Sequence, residues 1–338
     1  MLIVMDKNAD DAKIDGVVAA VEKAGFSARR IPGGHRTAVG VIHNGKNTDP
    51  DRFLNLPGVR EVIPVTKPYK LVSREFKPED TVVKVKNAVI GGSSFAVIAG
   101  PCAVESREQT DIIADMVKKS GGTILRGGAF KPRTSPYSFQ GLGEDGLKIL
   151  AAASDRTGLP FVSEAVDEES LEIVARYADM IQIGARNMQN FSLLKKAGAV
   201  KRPILLKRGI CATVEELLMA AEYILEAGNP DVVLCERGVR TFADHCRNIL
   251  DLSAVTVIRK ESHLPVIVDP SHSAGRREQV VPLGLAAAAA GAQGLIAEVH
   301  HCPEEALCDG AQALLPNQLD ILCKLSCQIS EMIKGAAI

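Results

Sequence analysis

Six basic side chains of this 338-residue chain, Arg126, Lys131, Arg133, Arg186, Lys207 and Arg237, stand at or just past the ends of short apolar runs. A guanidinium is a planar fork that matches two carboxylate or phosphate oxygens at once, and a Lys ammonium is a mobile point charge. The 40 basic and 41 acidic residues leave a net charge of −1, so six cations gathered on one opening imply a substrate carrying several negative charges. Six exceed the needs of one phosphate. Two anionic substrates, or a phosphorylated acid with a second phosphate, is the simplest inference. A second group, Cys102, His272, Glu298 and Asp309, offers a thiolate, an imidazole and two carboxylates. That mixture suits one divalent Mn, Fe, Co or Zn ion. No paired CxxC spacing marks the set, and His300, His301, Cys302 and Cys308 are rival ligands. A buried free Cys is ordinarily a small core hydrophobe, but Gly100 and Pro101 break the run before Cys102 and open a loop there.

Residues so far apart meet only if the fold carries each of them to one face. Apolar runs at 95–99, 123–125, 160–163, 180–183, 204–206, 232–235, 266–268 and 294–297 read as strands, and helix-like segments separate most of them. Strand, reactive residue, helix, repeated about eight times, is the plan of an α/β (β/α)8 TIM barrel, whose loops assemble a site at one end. Ser106, Asp167 and Thr213 stand where helix caps are expected. An open doubly wound sheet would carry a Gly-rich phosphate turn directly after an early strand. The one match, GLGEDG at 141–146, follows a Pro- and Ser-containing loop, and its Glu144 and Asp145 would repel a pyrophosphate. It reads as a loop leading into the next helix.

Residues 1–66 read as a separate ferredoxin-like domain in the order βαββαβ. Its elements are a strand at 2–5, a helix at 10–24, strands at 26–31 and 37–42, a short helix at 49–56 and a strand at 59–65. A Pro- and Lys-containing linker, 67–80, follows, and the catalytic barrel spans 81–338. Within it, 81–90 reads as an extra strand or hairpin plugging the barrel's underside.

Hydrophobic residues at 46% support a large core, while aromatics at 4% and no Trp leave aliphatic side chains to fill it. Balanced charge argues against nucleic acid or an anionic membrane as the main partner, because both need clustered Lys and Arg. The MLIVM start, followed by acids, is not expected to be a secretory signal. The apolar stretch at 284–297 is too short to span a bilayer. Eight Cys without framework spacing fit a reducing, cytoplasmic setting.

Seven segments closely resemble, in order, the 3-deoxy-D-arabino-heptulosonate 7-phosphate (DAHP) synthase family. They are GPCAVES (100–106), LRGGAFKPRTSPYSFQG (125–141), IGARNMQNF (183–191), LLKRG (205–209), CERGVRTF (235–242), DPSHSAGRR (269–277) and AEVH (297–300). The resemblance runs through 85–330 and is to the subgroup with an N-terminal ferredoxin-like domain. Over 1–65 it rests on element order. It implies a metal-dependent transferase that joins phosphoenolpyruvate to erythrose 4-phosphate, the first step of the shikimate pathway to aromatic amino acids. It carries phosphoenolpyruvate contacts onto Arg126, Lys131, Arg186, Lys207 and Arg237, with Ala185 lending backbone. Arg133 and Thr134 fall at erythrose 4-phosphate, and the metal ligands on Cys102, His272, Glu298 and Asp309. Lys131 is then the candidate proton donor to the new hydroxyl, and Glu164 a candidate to orient a cation or the attacking water.

The sister family making 3-deoxy-manno-octulosonate 8-phosphate shares the barrel and phosphoenolpyruvate. It has an Asn-containing stretch after the corresponding Lys, and its metal-free forms replace the Cys ligand by Asn. Pro132-Arg133-Thr134 and Cys102 resemble the metal-dependent DAHP branch. Two further alternatives are a non-catalytic amino-acid sensor and a Schiff-base aldolase using Lys131 or Lys207. In the resembled subgroup the N-terminal domain senses aromatic amino acids, which implies Phe or Tyr as effector. Relatives are commonly homo-oligomers, tetramers among them. Cys211 stands where relatives more often have a small residue, and Cys302 and Cys308 decorate the loop carrying Asp309. These departures bear on loop conformation, metal preference and oxidation sensitivity.

Overall fold

Ile14, Val17 and Val21 recur at helical spacing and are buried, so one face of a single helix organises the N-terminal element. In the computed structural model, which describes residues 1–33, 36–42, 49–63, 67–133 and 135–335, β1 (Leu2–Met5) leads into that helix, α1 (Asp11–Lys23). Asp10 caps it by accepting a hydrogen bond from the Lys13 backbone at 3.0 Å. Then come β2 (Ser27–Pro32), β3 (Thr37–Ile42), the short α2 (Asp51–Leu54) and β4 (Val59–Ile63). The sheet order is β2-β3-β1-β4 with antiparallel pairs throughout, the ferredoxin-like plan expected from the element order. Ile3, Met5, Val39, Val41 and Phe53 fill the space under α1. The end of the strand predicted at 59–65 lies outside the described residues. The chain divides into two compact units, Met1–Glu79 and Asp80–Ile338.

The second unit opens with a hairpin, β5 (Val83–Val85) and β6 (Ala88–Ile90). The chain then runs β7 (Ala96–Gly100), α3 (Arg107–Lys119), β8 (Ile124–Arg126), α4 (Glu144–Thr157), β9 (Phe161–Ala165), α5 (Glu168–Tyr177) and β10 (Met180–Ile183). It continues through α6 (Phe191–Ala199), β11 (Ile204–Lys207), α7 (Val214–Glu226), β12 (Val232–Glu236), α8 (Leu252–Glu261) and β13 (Val266–Val268). The short α9 (Pro270–Ala274), α10 (Arg277–Ala289), β14 (Gly294–Glu298) and α11 (Pro316–Gly335) complete it. All eight strands from β7 on are parallel, and β14 pairs back onto β7, closing the barrel. Ser106, Asp167 and Thr213 cap α3, α5 and α7 as expected, and GLGEDG is the turn into α4.

Strands covered on both faces read as aliphatic runs, and here they are buried end to end. The hairpin sends Val83, Val85 and Ile90 into the same cluster as Ala96, Ile124 and Met180, the latter at or near the starts of their strands. Each such side chain contributes about 1.5–3 kcal/mol when fully buried. The Thr81 backbone donates to the carbonyl of His263, just ahead of β13. The hairpin therefore seals the N-terminal end of the barrel and leaves the C-terminal end as the open mouth. Among the described residues, no helix is long and apolar enough to cross a membrane.

Strand alternation sorts the charges at the mouth. Leu205 belongs to the barrel interior, so Lys207 shares its inward face and Arg208 turns outward. There Nη1 of Arg208 donates to Glu236 at 2.8 Å and Asp251 at 3.0 Å. Glu236 is fully buried, so Arg208→Ala strands a carboxylate in the barrel wall. The variant is expected to lose about 3–5 kcal/mol of unfolding free energy. Urea denaturation measures this, and a loss below about 1 kcal/mol, the scale of an exposed pair, would show that the ion pair is not structural.

Candidate active site

The open end gathers what the sequence dispersed. Arg126, Lys207 and Glu298 are the last residues of β8, β11 and β14. Arg237 follows β12, and His272 lies in α9, immediately past β13. Arg186 sits in a single 3-10 turn, Ala185–Asn187, just beyond β10. All six predicted cations, with Ala185, His272 and Asp309, line one cavity of about 600 Å³. Thr134 lies outside the described residues. Two further cations, Arg240 and Arg247, line the same cavity and were not singled out from sequence. Arg240 lies three residues past Arg237 in the CERGVRTF segment, a usable signal. Arg247 sits in an irregular stretch with no strand to announce it.

These cations differ in how they are held. Arg126 is buried, and its Nη1 donates to Glu298 Oε1 at 2.8 Å and to the Pro101 carbonyl at 3.1 Å. Burial opposes its charge, but Glu298, Cys102 and Asp269 outweigh that and hold the guanidinium above its ordinary value. Lys131 donates to the Cys102 carbonyl at 3.0 Å and to its Sγ at 3.1 Å. Lys207 reaches Asp269 Oδ2 at 2.5 Å. Arg133 donates to Cys308 Sγ at 2.5 Å, and Arg186 to the Pro132 carbonyl at 2.9 Å. Arg237 is the exception. Its Nη2 reaches the His272 carbonyl at 3.2 Å, but among the described side chains its Nη1 is buried with no hydrogen-bond partner. Burial lowers its pKa. Arg237 lines the cavity, and a buried guanidinium nitrogen calls for a polar partner.

The predicted metal donors also converge. His272, Glu298 and Asp309 offer ligand atoms within 4.8 Å of one another, as do Cys102, Cys308 and Asp309. Asp309 belongs to both sets, so the two adjoin. His272 Nδ1 lies 2.7 Å from Asp269 Oδ2. His272 and Lys207 hold Asp269 far below the usual carboxylate range against the opposing effect of burial. With Nδ1 against Asp269, the other ring nitrogen, Nε2, is turned to Glu298 Oε1 at 3.3 Å, the orientation that a carboxylate gives a ligating imidazole. Gln312 donates to the other Glu298 oxygen at 2.5 Å. Against burial, His272 and Arg126 bring Glu298 down to about 2. The Cys102–Cys308 hydrogen bond at 3.2 Å, with burial, raises the Cys102 thiol well above its usual value, and the same bond draws Cys308 down to about 7.

Of the rival ligands, Cys308 stands with Cys102 and Asp309, whereas His300 and Cys302 are engaged elsewhere. His300 Nδ1 accepts from the Cys302 backbone at 3.0 Å, and its Nε2 lies 3.2 Å from Gln109 Nε2. Cys302 faces Glu304, and Cys211 is exposed. Glu164 lines the cavity and accepts from Gln182 at 2.9 Å. Asp269 and Gln312 were not assigned roles from sequence, although Asp269 opens the DPSHSAGRR segment.

One glycine is required for the geometry. A Cβ on Gly100 would stand 2.0 Å from the Arg126 carbonyl oxygen, so strands β7 and β8 close only over hydrogen. Gly100→Ala is expected to lose about 1–3 kcal/mol of stability from overpacking and to displace Arg126 with it. A thermal melt and an activity assay together check this, and wild-type values in both would refute the close approach.

Comparison with known proteins agrees along the whole chain. The DAHP synthetase I family matches residues 80–335, and the DAHP synthase ferredoxin-like domain matches residues 1–67. The chain is 52% identical over 314 residues to phospho-2-dehydro-3-deoxyheptonate aldolase of Thermotoga maritima, covering 93% of each. It is 33% identical over 272 residues to 2-dehydro-3-deoxyphosphooctonate aldolase of Syntrophotalea carbinolica, covering 75% of this chain and 97% of that one. A crystal structure of the Thermotoga maritima DAHP synthase superposes with a TM-score of 0.76 at 50% identity, covering 99% of this chain and 97% of that one. A truncated form of that synthase gives a TM-score of 0.71 at 52% identity, covering 79% and 96% respectively.

Proposed function

The chain belongs to the DAHP synthetase I family, and from that premise we propose that its barrel is a metal-dependent transferase condensing phosphoenolpyruvate with erythrose 4-phosphate. The products are DAHP and phosphate, in the first step of the shikimate pathway. The observation that supports this reading above others is six cations on one cavity that His272, Cys308 and Asp309, members of two overlapping donor sets, also line.

A site with sulfur, imidazole and carboxylate donors, its imidazole oriented by Asp269, fits a divalent Mn, Fe, Co or Zn ion. Cys102, His272, Glu298 and Asp309 would hold that ion, which when bound supplies Lewis-acid polarisation of the sugar aldehyde. The chain's own residues do the rest. Arg126, Lys131, Arg186, Lys207 and Arg237, with the Ala185 backbone, bind phosphoenolpyruvate, and the unpartnered Nη1 of Arg237 is ready for an anionic oxygen. Arg133 and Thr134 bind erythrose 4-phosphate. Carbon 3 of phosphoenolpyruvate attacks the aldehyde carbon, water adds at carbon 2, and the tetrahedral intermediate loses phosphate by C–O cleavage. Fixed positive charge at both reactants supplies orientation and compensates the charge that develops. Lys131 gives a proton to the new hydroxyl, and Glu164, steadied by Gln182, orients the attacking water.

Phosphate release with erythrose 4-phosphate and with arabinose 5-phosphate, each with and without EDTA, tests this. Release with erythrose 4-phosphate alone, abolished by EDTA and restored by a divalent ion, is expected. Preference for arabinose 5-phosphate would mean an octulosonate synthase. Chelator-insensitive turnover trapped by borohydride would mean a Schiff base on Lys131 or Lys207, and no release at all a non-catalytic sensor.

We further propose that residues 1–66 are a regulatory domain for Phe or Tyr, joined by the linker 67–80 to the barrel at 81–338. The ferredoxin-like match supports this. Removing Met1–Glu79, the first compact unit, is expected to leave turnover but abolish inhibition by either amino acid, and an inhibitable barrel would refute the assignment. A homo-oligomer, a tetramer by analogy with relatives, is the expected assembly, and light scattering measures it. A reducing cytoplasm suits the eight free cysteines.

A further inference from the structure

Cys308 is not among the four donors that the family resemblance implies, yet the fold brings it to the same centre. Its Sγ lies 3.2 Å from Cys102 Sγ and 3.6 Å from Asp309 Oδ2. It is 5% exposed and sits in a donor set with Cys102 and Asp309. Adjacent residues in extended chain point apart. Here Asp309 takes a left-handed backbone with φ 54°, and Cys308 and Asp309 face the same place. Two other loop cysteines do not: Cys302 meets Glu304, and Cys211 is exposed.

We propose that Cys308 is a further metal ligand and that the centre holds its ion with two sulfurs, from Cys102 and Cys308, beside His272, Glu298 and Asp309. Two sulfurs 3.2 Å apart fall within the span that one ion with metal–sulfur bonds of about 2.3 Å can bridge. A second soft donor favours Zn²⁺, Co²⁺ and Fe²⁺ over Mn²⁺, because thiolates discriminate against ions that prefer oxygen. Arg133 donates to the same sulfur, so ligation also fixes the guanidinium assigned above to the sugar phosphate. This inference rests on the synthase reading for the identity of the centre.

The full-length protein, kept anaerobic and reduced so that the two thiols do not couple, is loaded with Zn²⁺ and its sulfur ligands are counted by X-ray absorption. Two sulfurs are expected, and one overturns the proposal. Loaded instead with Co²⁺, Cys308→Ser and Cys308→Ala are expected to lose about half of the thiolate-to-cobalt charge-transfer band. Their Zn²⁺ affinity, measured against a competing chelator, should fall by about 10- to 100-fold, with Mn²⁺ affinity within about threefold of wild type. An undiminished band and unchanged Zn²⁺ affinity in both variants overturn it. Phosphate release by the same Zn²⁺-loaded sample separates the two readings. Turnover with one sulfur rejects the Cys308 ligand alone, and two sulfurs without turnover on either sugar phosphate reject the synthase alone.

Discussion

Arg126→Ala is expected to lower kcat/KM for phosphoenolpyruvate by about 10²- to 10³-fold, within the roughly 2–5 kcal/mol lost when one partner of a buried, hydrogen-bonded charge pair is truncated. The effect is large because Arg126 serves two neighbours. It is 4% exposed, lines the cavity and donates to Glu298 at 2.8 Å. Its removal takes a cation from the substrate and leaves Glu298 buried without it. Glu298 is held at about 2, against an ordinary 4.5, so it contributes stability at pH values above its unfolded pKa. That contribution is lost as pH falls from 4.5 towards about 2. Without Arg126 the carboxyl returns towards its ordinary value, and acid loss of stability begins at higher pH. Denaturant midpoints across the acid range measure the displacement. Activity within about threefold of wild type, far inside the loss expected of a buried pair, would mean that Arg126 does not touch substrate.

Asp269→Asn is expected to weaken the binding of a divalent ion by about 10- to 100-fold and to raise KM for phosphoenolpyruvate at saturating metal. One carboxylate oxygen lies 2.5 Å from Lys207 Nζ and 2.7 Å from His272 Nδ1, so the same atom aims a predicted ligand and a predicted substrate cation. The amide keeps the shape, but it lacks the charge, and its single oxygen cannot serve Lys207 and the His272 ring at one position and the His272 backbone at the other. Chelator competition reports the ion and steady-state kinetics the substrate. An unchanged metal affinity would reduce Asp269 to the helix cap it also is, accepting from the His272 backbone at 2.9 Å.

The barrel was legible because its strands are covered on both faces and read as aliphatic runs at regular spacing. Their ends were less so. Runs read as 160–163, 204–206, 232–235 and 294–297 extend in the structure to Ala165, Lys207, Glu236 and Glu298. Backbone pairing continues through a polar residue, as Glu298 does opposite Gly100, whereas an apolar run stops before it. The same rule made Arg126, Lys207 and Glu298 findable, since a charge directly after such a run stands at the mouth. Asp269 escaped because Asp before Pro reads as a turn, and nothing local shows that its oxygen meets a Lys from another strand. Arg247 escaped for want of a flanking element. The approach of Cys308 to Cys102 depends on one left-handed residue, Asp309, and no period in the sequence encodes that.

A crystal structure of the full chain grown with Mn²⁺ and phosphoenolpyruvate puts both halves of the site to trial in one experiment. An anomalous peak held by His272, Glu298, Asp309 and Cys102, with the phosphate of phosphoenolpyruvate on Arg237, is the expected result. A metal bound elsewhere, or phosphoenolpyruvate outside the cavity that Arg126, Lys207 and Arg237 line, would contradict it.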